Sequence, residues 1–339
     1  MSKQFSIGVD LGGTNLRVAS YASGTEFLES IQMPTRLSAG REEVVRDMCE
    51  AIQSLVRRNY GGRKLAGVAV ASPGPLELPR GILRNPPNLP GWDGFSLRDA
   101  ISQILRYDIL IESDANAAAL AEQRLGAGKK YNVQSLCVLT LGTGVGNGLI
   151  FNNQIWSGTN GMGGEAGHII VSNDEEAVCG CGGFGCLEQY ASASAISRMA
   201  REQFGASAPE SAKELAILAH GGNPLARGIF ESLGIALAIA LTGLINTLNL
   251  PLYLLGGGVC DAWDLFSPQM FHELERRSYV YRLTKPDCPN PAFLEPNKTY
   301  ILPAELGSSA GLLGACLLGL EYKPAAYSSG SSKEDMLVH

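Results

Sequence analysis

Three cysteines crowd the stretch CGCGGFGCLEQ, at Cys179, Cys181 and Cys186, with glycines at 180, 182, 183 and 185 between them. His168 stands upstream in the pattern His-x10-Cys-x-Cys-x4-Cys. One imidazole and three thiolates make a donor set suited to tetrahedral zinc, and the glycines let the backbone wrap closely around a small ion. A disulfide would leave one thiol odd and His168 unexplained. A dithiol redox centre is expected as Cys-x-x-Cys, a spacing this chain does not contain. Zinc is therefore expected on His168, Cys179, Cys181 and Cys186. Four protein ligands leave no open position for a substrate, so such a metal fixes the loop and the ring of His168 rather than reacting.

A second constellation is built from backbone. IGVDLGGTNLRVA and VLTLGTGVGNGLI share one plan: an apolar strand, a turn rich in Gly and Thr, and an apolar strand. Either turn alone reads as a hairpin. Two at corresponding places in two halves suggest a duplicated fold closing on one ligand. Glycine turns let N–H groups converge into a nest for phosphate oxygens, and Thr14 and Thr143 each add a hydroxyl. Strand rather than helix follows each turn, so this is not a dinucleotide-binding fingerprint. No GK[ST] is present, so it is not a Walker loop.

The elements that must position these groups follow from pattern. Residues 5–10 read as a strand, and LRVASYA as the next. Residues 41–58 carry Val44, Val45, Met48, Ile52, Leu55 and Val56 on one helical stripe. LAGVAVA (65–71) is a buried strand stopped by SPGP, and DILIES (108–113) is another. ANAAALAEQRLGAG follows as a helix starting near Ala115, with Gly126 or Gly128 near its end. SLCVLTLG is a strand, TGVGNG a turn and LIFNNQIW the returning strand. A long helix is expected over about 224–249, a strand and glycine turn at LYLLGGGV, and a last apolar helix over about 308–320. The tail from about 323 is polar and reads as disordered. Cys49, Cys137, Cys260, Cys288 and Cys316 stand singly and read as small buried side chains.

The chain has 339 residues, 45% hydrophobic and 18% charged, enough for two domains with a sizeable core. A net charge of −6 argues against broad contact with nucleic acid or anionic lipid. No leader pattern opens the sequence, and the apolar run from Ile235 to Leu250 is broken by Thr242, Asn246, Thr247 and Asn249. A buried helix and a cytoplasmic protein are expected, with neither nucleic acid nor membrane as partner.

Taken together, GVDLGGTNLRVA, SPGPLE, NLPGW, DANAAALAE, LTLGTGVGNGLI, GEAGH and CGCGGFGCLEQYAS resemble the ROK family of sugar kinases and repressors over roughly residues 5–320. PNLPGW is most similar to the bacterial glucokinases of that family. The resemblance implies an α/β, duplicated actin/hexokinase/ribonuclease-H-like fold of two domains with a cleft between them and a structural zinc loop. The domains are placed at 1–116 and 117–307, with the helix at about 308–322 packing back on the first and 323–339 as a tail. It also implies ATP and Mg²⁺ in the cleft, a hexose beside them, and a homodimer or homotetramer.

By position, the resemblance makes Asp114 the base that takes the proton of the attacking sugar hydroxyl, where pattern alone would have it cap a helix. Asp10, otherwise a residue ending a strand, matches the one that helps hold Mg²⁺. Gly12, Gly13, Thr14 and Asn15 are placed at the phosphates from one domain, Gly142, Thr143 and Gly144 from the other, and Gly256, Gly257 and Gly258 on the nucleotide side. Asn88, Asp114, Glu165, His168 and Glu188 are placed at the sugar, where carboxylates and amides meet hydroxyls at fixed angles. The family usually has Asn where this chain has Ser113, which is shorter and offers no amide. Repressors of the family carry a helix-turn-helix ahead of the first glycine turn, and only four residues precede FSIGVD. The expected activity is ATP-dependent phosphorylation of a hexose at its 6-hydroxyl, with glucose first. Fructose, mannose, N-acetylglucosamine or N-acetylmannosamine are alternatives, followed by a sugar-sensing regulator.

Overall fold

The structure is a computed structural model and describes residues 4–58, 60–288 and 291–321. The expected disordered tail lies outside the described residues. Strands are β1 (Gln4–Leu11), β2 (Asn15–Tyr21), β3 (Glu29–Pro34), β4 (Lys64–Ser72), β5 (Leu76–Glu77), β6 (Ile82–Leu83), β7 (Ile109–Ser113), β8 (Leu136–Leu141), β9 (Val145–Phe151), β10 (Gln154–Ile155), β11 (Leu252–Gly256) and β12 (Tyr300–Pro303). Helices are α1 (Arg41–Arg57), α2 (Leu97–Leu105), α3 (Asp114–Arg124), α4 (Ala127–Lys130), α5 (Glu188–Ala191), α6 (Ala193–Phe204), α7 (Ala212–His220), α8 (Pro224–Leu248), α9 (Trp263–Arg277), α10 (Tyr279–Thr284) and α11 (Ala310–Glu321).

Two five-stranded sheets run in the orders β3-β2-β1-β4-β7 and β10-β9-β8-β11-β12. Each is an antiparallel meander of three strands continued by two parallel ones. The matched order is the duplication that the paired glycine turns suggested. The inner strands are apolar along nearly their whole length because both faces are covered; in β1 only Gln4 and Asp10 escape burial. α1 buries Val44, Val45, Met48, Ile52 and Leu55 against the first sheet's core.

Between the sheets lie two helices. α11 packs across β1, β2 and β4, α3 across β8 and β9, and the two pack on each other. α3 is rich in Ala and α11 in Gly, and these small residues let the two backbones approach. A Cβ on Gly314 would sit 1.8 Å from the carbonyl oxygen of Ala117. The second sheet's outer face is covered by α6 to α9, with α8 at the centre. α8 is long and apolar enough to cross a membrane by length and composition, more so than its polar residues suggested. Its Leu233, Leu237, Leu241 and Ile245 are fully buried in the core. Its start is set by Asn223, whose side chain accepts the Ala226 N–H, followed by Pro224.

Three readings need correction. LIFNNQIW is not one strand, because Asn152 and Asn153 adopt φ of 51° and 65° and form a two-residue hairpin turn between β9 and β10. Consecutive Asn residues tolerate the left-handed conformation such turns require. The turn before β9 is correspondingly shorter than TGVGNG, with pairing resuming at Val145 opposite Leu141. Of the single cysteines expected to be buried, Cys288 is exposed and Cys260 half-buried, whereas Cys49, Cys137 and Cys316 are buried.

Candidate active site

A cavity of about 550 Å³ is lined by residues of both sheets. Its wall is built where strands end: Gly12 after β1, Pro73 after β4, Asp114 after β7, Gly142 after β8 and Gly257 after β11. Carboxyl ends of parallel strands are where open α/β sheets leave room for ligands. At the first glycine of each turn the N–H is already used: that of Gly12 is donated to the Asn15 carbonyl oxygen and that of Gly142 to the Gly144 carbonyl oxygen, both at 2.9 Å.

Of the residues expected there, Gly12, Gly13, Thr14, Asn88, Ser113, Asp114, Gly142, Thr143, Gly144, Glu165, His168, Glu188 and Gly257 line this one cavity. Asp10, Asn15, Gly256 and Gly258 do not. Asp10 is paired with Arg17, whose Nε lies 3.1 Å from Oδ2. Asn15 opens β2, opposite Pro34 of β3. Pro73, Gly74, Pro75 and Leu76 also line the cavity, as do Gly161, Gly163, Gly164, Thr140 and Asn147. The SPGP stop after a buried strand and the GMGG run before Glu165 were legible signals for these. Thr140 and Asn147 carried none, because a strand interior looks the same whichever face meets a ligand.

Asp114 opens α3, one residue earlier than the pattern suggested, with extended Ser113 in the cap position. Asp114 is not itself the cap residue, but its carboxylate still serves a first-turn donor of the helix. Oδ1 accepts the N–H of the adjacent Ala115 at 2.7 Å, and the residue lines the cavity. Burial, then repulsion from Asp10, and more weakly from Glu165, push the Asp114 carboxyl up to about 7. The Ala115 N–H works the other way by favouring the charged form.

The second glycine turn is tied to the cysteine loop by Glu188. Its Oε2 accepts the Val145 N–H at 2.9 Å, and a Cβ on Gly144 would lie 2.3 Å from that oxygen. Glycine at 144 is what lets a carboxylate pack against the turn. Glu188 Oε1 lies 3.9 Å from Cys179 Sγ. Asn88 is carried by a loop anchored through buried Trp92, which packs edge-on against Phe95 at 5.4 Å.

The donor atoms of His168, Cys179, Cys181 and Cys186 all lie within 4.8 Å of one another. Cys181 Sγ and Cys186 Sγ are 3.7 Å apart, and Cys179 Sγ is 3.6 Å from His168 Nδ1. Sulfurs each about 2.3 Å from a tetrahedral zinc stand about 3.7 Å apart, so the cluster is compatible with that ion. Nδ1 is the nitrogen turned to the sulfurs. Nε2 lies 3.9 Å from Glu165 Oε2, on the cavity side.

The family model for the ROK family matches residues 6–321. The chain belongs to the ROK family. A glucokinase of Thermotoga maritima is 33% identical over 328 residues, covering 93% of this chain and 97% of that protein. Among solved structures, a ROK hexokinase from Thermus thermophilus superposes with a TM-score of 0.76 at 31% identity, covering 93% of this chain and 97% of its own. A ROK family glucokinase from Streptomyces griseus, in complex with glucose and AMPPNP, superposes at 0.74 with 29% identity, over 93% and 98% of the two chains. The mixed α/β, two-sheet architecture is that of these ROK proteins. An N-acetylmannosamine kinase of Yersinia pestis (31% identity, 75% of this chain and 82% of that one) and a xylose repressor of Bacillus subtilis (25%, 94% and 77%) also match.

Proposed function

We propose that this protein is an ATP-dependent hexose 6-kinase with glucose as its leading substrate. The observation that carries the reading is Asp114. A carboxylate drawn to about 7 stands where two glycine–threonine turns from opposite sheets meet. A base poised near the working pH accepts a proton readily and stays largely ionised just above it. The similarity to a glucokinase over nearly the whole chain, and to one holding glucose and AMPPNP, supports this substrate pair.

In the proposed reaction the hexose lies against Asn88, Ser113, Glu165, His168 and Glu188, with its 6-hydroxyl at Asp114. Oδ1 stays on the Ala115 N–H while Oδ2 takes the hydroxyl proton. The sugar oxygen then bonds the γ-phosphorus as the bond to the β-phosphate oxygen breaks. Gly13 and Thr14 from one side, and Thr143 and Gly144 from the other, offer N–H and hydroxyl donors to the phosphates, while Gly12 and Gly142, whose N–H groups close their own turns, give the room for that approach. Gly257 borders the nucleotide. Asn15, Gly256 and Gly258 act at one remove, since they do not line the cavity. Mg²⁺, when bound, would neutralise phosphate charge. Asp10 is near enough to repel Asp114, but Arg17 pairs with it and it stands outside the cavity lining, so it would help to hold the cation only at one remove, through water. Zinc on His168, Cys179, Cys181 and Cys186 would hold Glu165 and Glu188 to either side of the sugar. The protein is taken to work in the cytoplasm as a homodimer or homotetramer, divided at 116/117 with α11 counted with the first domain.

Ser113 favours keeping a second sugar in view. Its short side chain leaves the cavity wall beside Asp114 without an amide, and hydroxyl discrimination rests on such polar partners. Fructose, mannose, N-acetylglucosamine and N-acetylmannosamine are therefore alternative acceptors, and a non-catalytic sugar sensor is the remaining reading. ADP release measured with ATP and this panel decides among them: turnover on glucose above the others is expected. No ADP release with any sugar sinks the kinase reading.

A further inference from the structure

The turn that presents Asp114 is held from behind by two side chains that the proposed reaction does not use. Glu112 Oε1 accepts two N–H groups, that of Ser113 at 2.9 Å and the Asn116 Nδ2 at 3.0 Å. One carboxylate oxygen thus staples the last residues of β7 to the first turn of α3, with Asp114 between its two contacts in sequence. Asn116 is only 1% exposed, and its Oδ1 has no hydrogen-bond partner. An orphaned buried carbonyl oxygen costs as much as one amide-to-carboxylate bond returns, or more. An apolar side chain of similar volume would serve packing better, so the amide is not explained by stability.

We infer that Glu112 and Asn116 are positioning residues that fix the β7–α3 turn and thereby the direction of the Asp114 carboxylate toward the acceptor hydroxyl. The inference rests on the kinase reading above. Two negative groups face Asp114 from other elements, Asp10 from β1 and Glu165 from the loop before His168, and both repel it. A carboxylate under such repulsion turns away unless its backbone is fixed. The bond from the Ala115 N–H to Oδ1 is within the same turn and holds only while that turn keeps its shape. Glu112, on the strand side, and Asn116, inside the helix, supply the brace that Asp114 lacks.

The experiment compares kcat and hexose KM of wild type, Glu112→Ala, Glu112→Gln and Asn116→Ala, with melting temperatures for each. Misplacing a reacting group by about 1 Å costs up to about 100-fold, so Glu112→Ala is expected to lower kcat about 10–100-fold with hexose KM held within about threefold. Glu112→Gln keeps an oxygen for both N–H groups and should restore kcat to within about threefold of wild type. Asn116→Ala should lower kcat about 5–20-fold while Tm stays within about 3 °C, since the orphaned oxygen goes with the amide. Full kcat in Glu112→Ala overturns the inference, as does a KM that rises in step with the loss. A Gln variant as poor as Ala also overturns it, because charge rather than the brace would then be responsible. If Glu112→Ala fails to fold, Asn116→Ala decides alone: unchanged kcat overturns the inference, and lowered kcat at unchanged KM supports it. A wild type inactive on every hexose sinks the kinase reading, and this inference with it.

Discussion

Asp114 draws its proposed chemistry from neighbours that are distant in sequence. The triplet Asp-Ala-Asn at a strand-to-helix turn is readable, but in isolation it describes a cap. Burial at the cavity floor and the fields of Asp10 and Glu165 turn it into a group ionising near 7. Two outcomes follow. The acidic limb of kcat/KM against pH should have its midpoint near 7; a midpoint near 4 would mean that Asp114 is not the base. Asp114→Asn should retain its fold and hexose affinity while losing at least about 100-fold in kcat, the scale of a positioned base. That variant also tests stability. The folded carboxyl ionises well above its unfolded counterpart, so the native state binds the extra proton between about pH 4 and 7. Its stability contribution is present below pH 4 and lost as pH rises through 7. Because Asp114 keeps some contact with cavity water, the penalty lies below the full value for a shift of this size. Asp114→Asn should therefore be more stable than wild type at pH 8, by about 1–3 kcal/mol, and no more stable at pH 4. Denaturant melts at the two pH values read the difference.

At the scale of the element, the cysteine loop was the most legible part of the chain. Its residue types and spacing pointed to four side chains whose donor atoms do gather within 4.8 Å of one another, an arrangement compatible with zinc. Its connection to the glycine turn was not legible, because the contact runs through Glu188, a residue that reads as an ordinary helix-start acid. Protein purified without chelator should contain about one zinc per chain by elemental analysis. Cys181→Ser should lower Tm and weaken hexose binding about 10-fold, the lower end for losing support at a metal site. Hexose affinity unchanged by titration calorimetry would separate the metal from the sugar site. The β9–β10 hairpin shows the opposite case. The Asn152-Asn153 pair inside an apolar run is the signal, because consecutive Asn residues tolerate the left-handed conformation a two-residue hairpin needs.

Across the whole molecule, the two sheets communicate through α3 and α11. The N-terminal end of α3 carries Asp114. Further along, Glu122 is buried, with its carboxylate accepting the N–H groups of Ala127, Glu305 and Leu306 at 2.8–3.2 Å. Burial raises its pKa and these three bonds oppose the rise. Glu122→Ala leaves three donors orphaned and should cost about 2–4 kcal/mol in urea denaturation. Gly314→Leu would drive a side chain into the α3 backbone and should destabilise by more than about 3 kcal/mol or prevent folding. Under the kinase proposal the cavity is expected to close on the sugar, which would exclude water as a competing phosphoryl acceptor. Small-angle scattering should show a smaller radius of gyration with a bound hexose. An unchanged radius would mean that the site is already closed.

By itself, the sequence determined the Cys/His cluster compatible with zinc, the paired glycine turns and the run of buried strands. Each is a local matter, because ligand chemistry, turn conformation and burial on both faces leave their mark within a few residues. Tertiary structure alone decided which strand ends converge, which carboxylates repel one another and which helices separate the sheets. Those depend on distances between residues far apart along the chain, and electrostatic fields and backbone approach act through space without regard to sequence order.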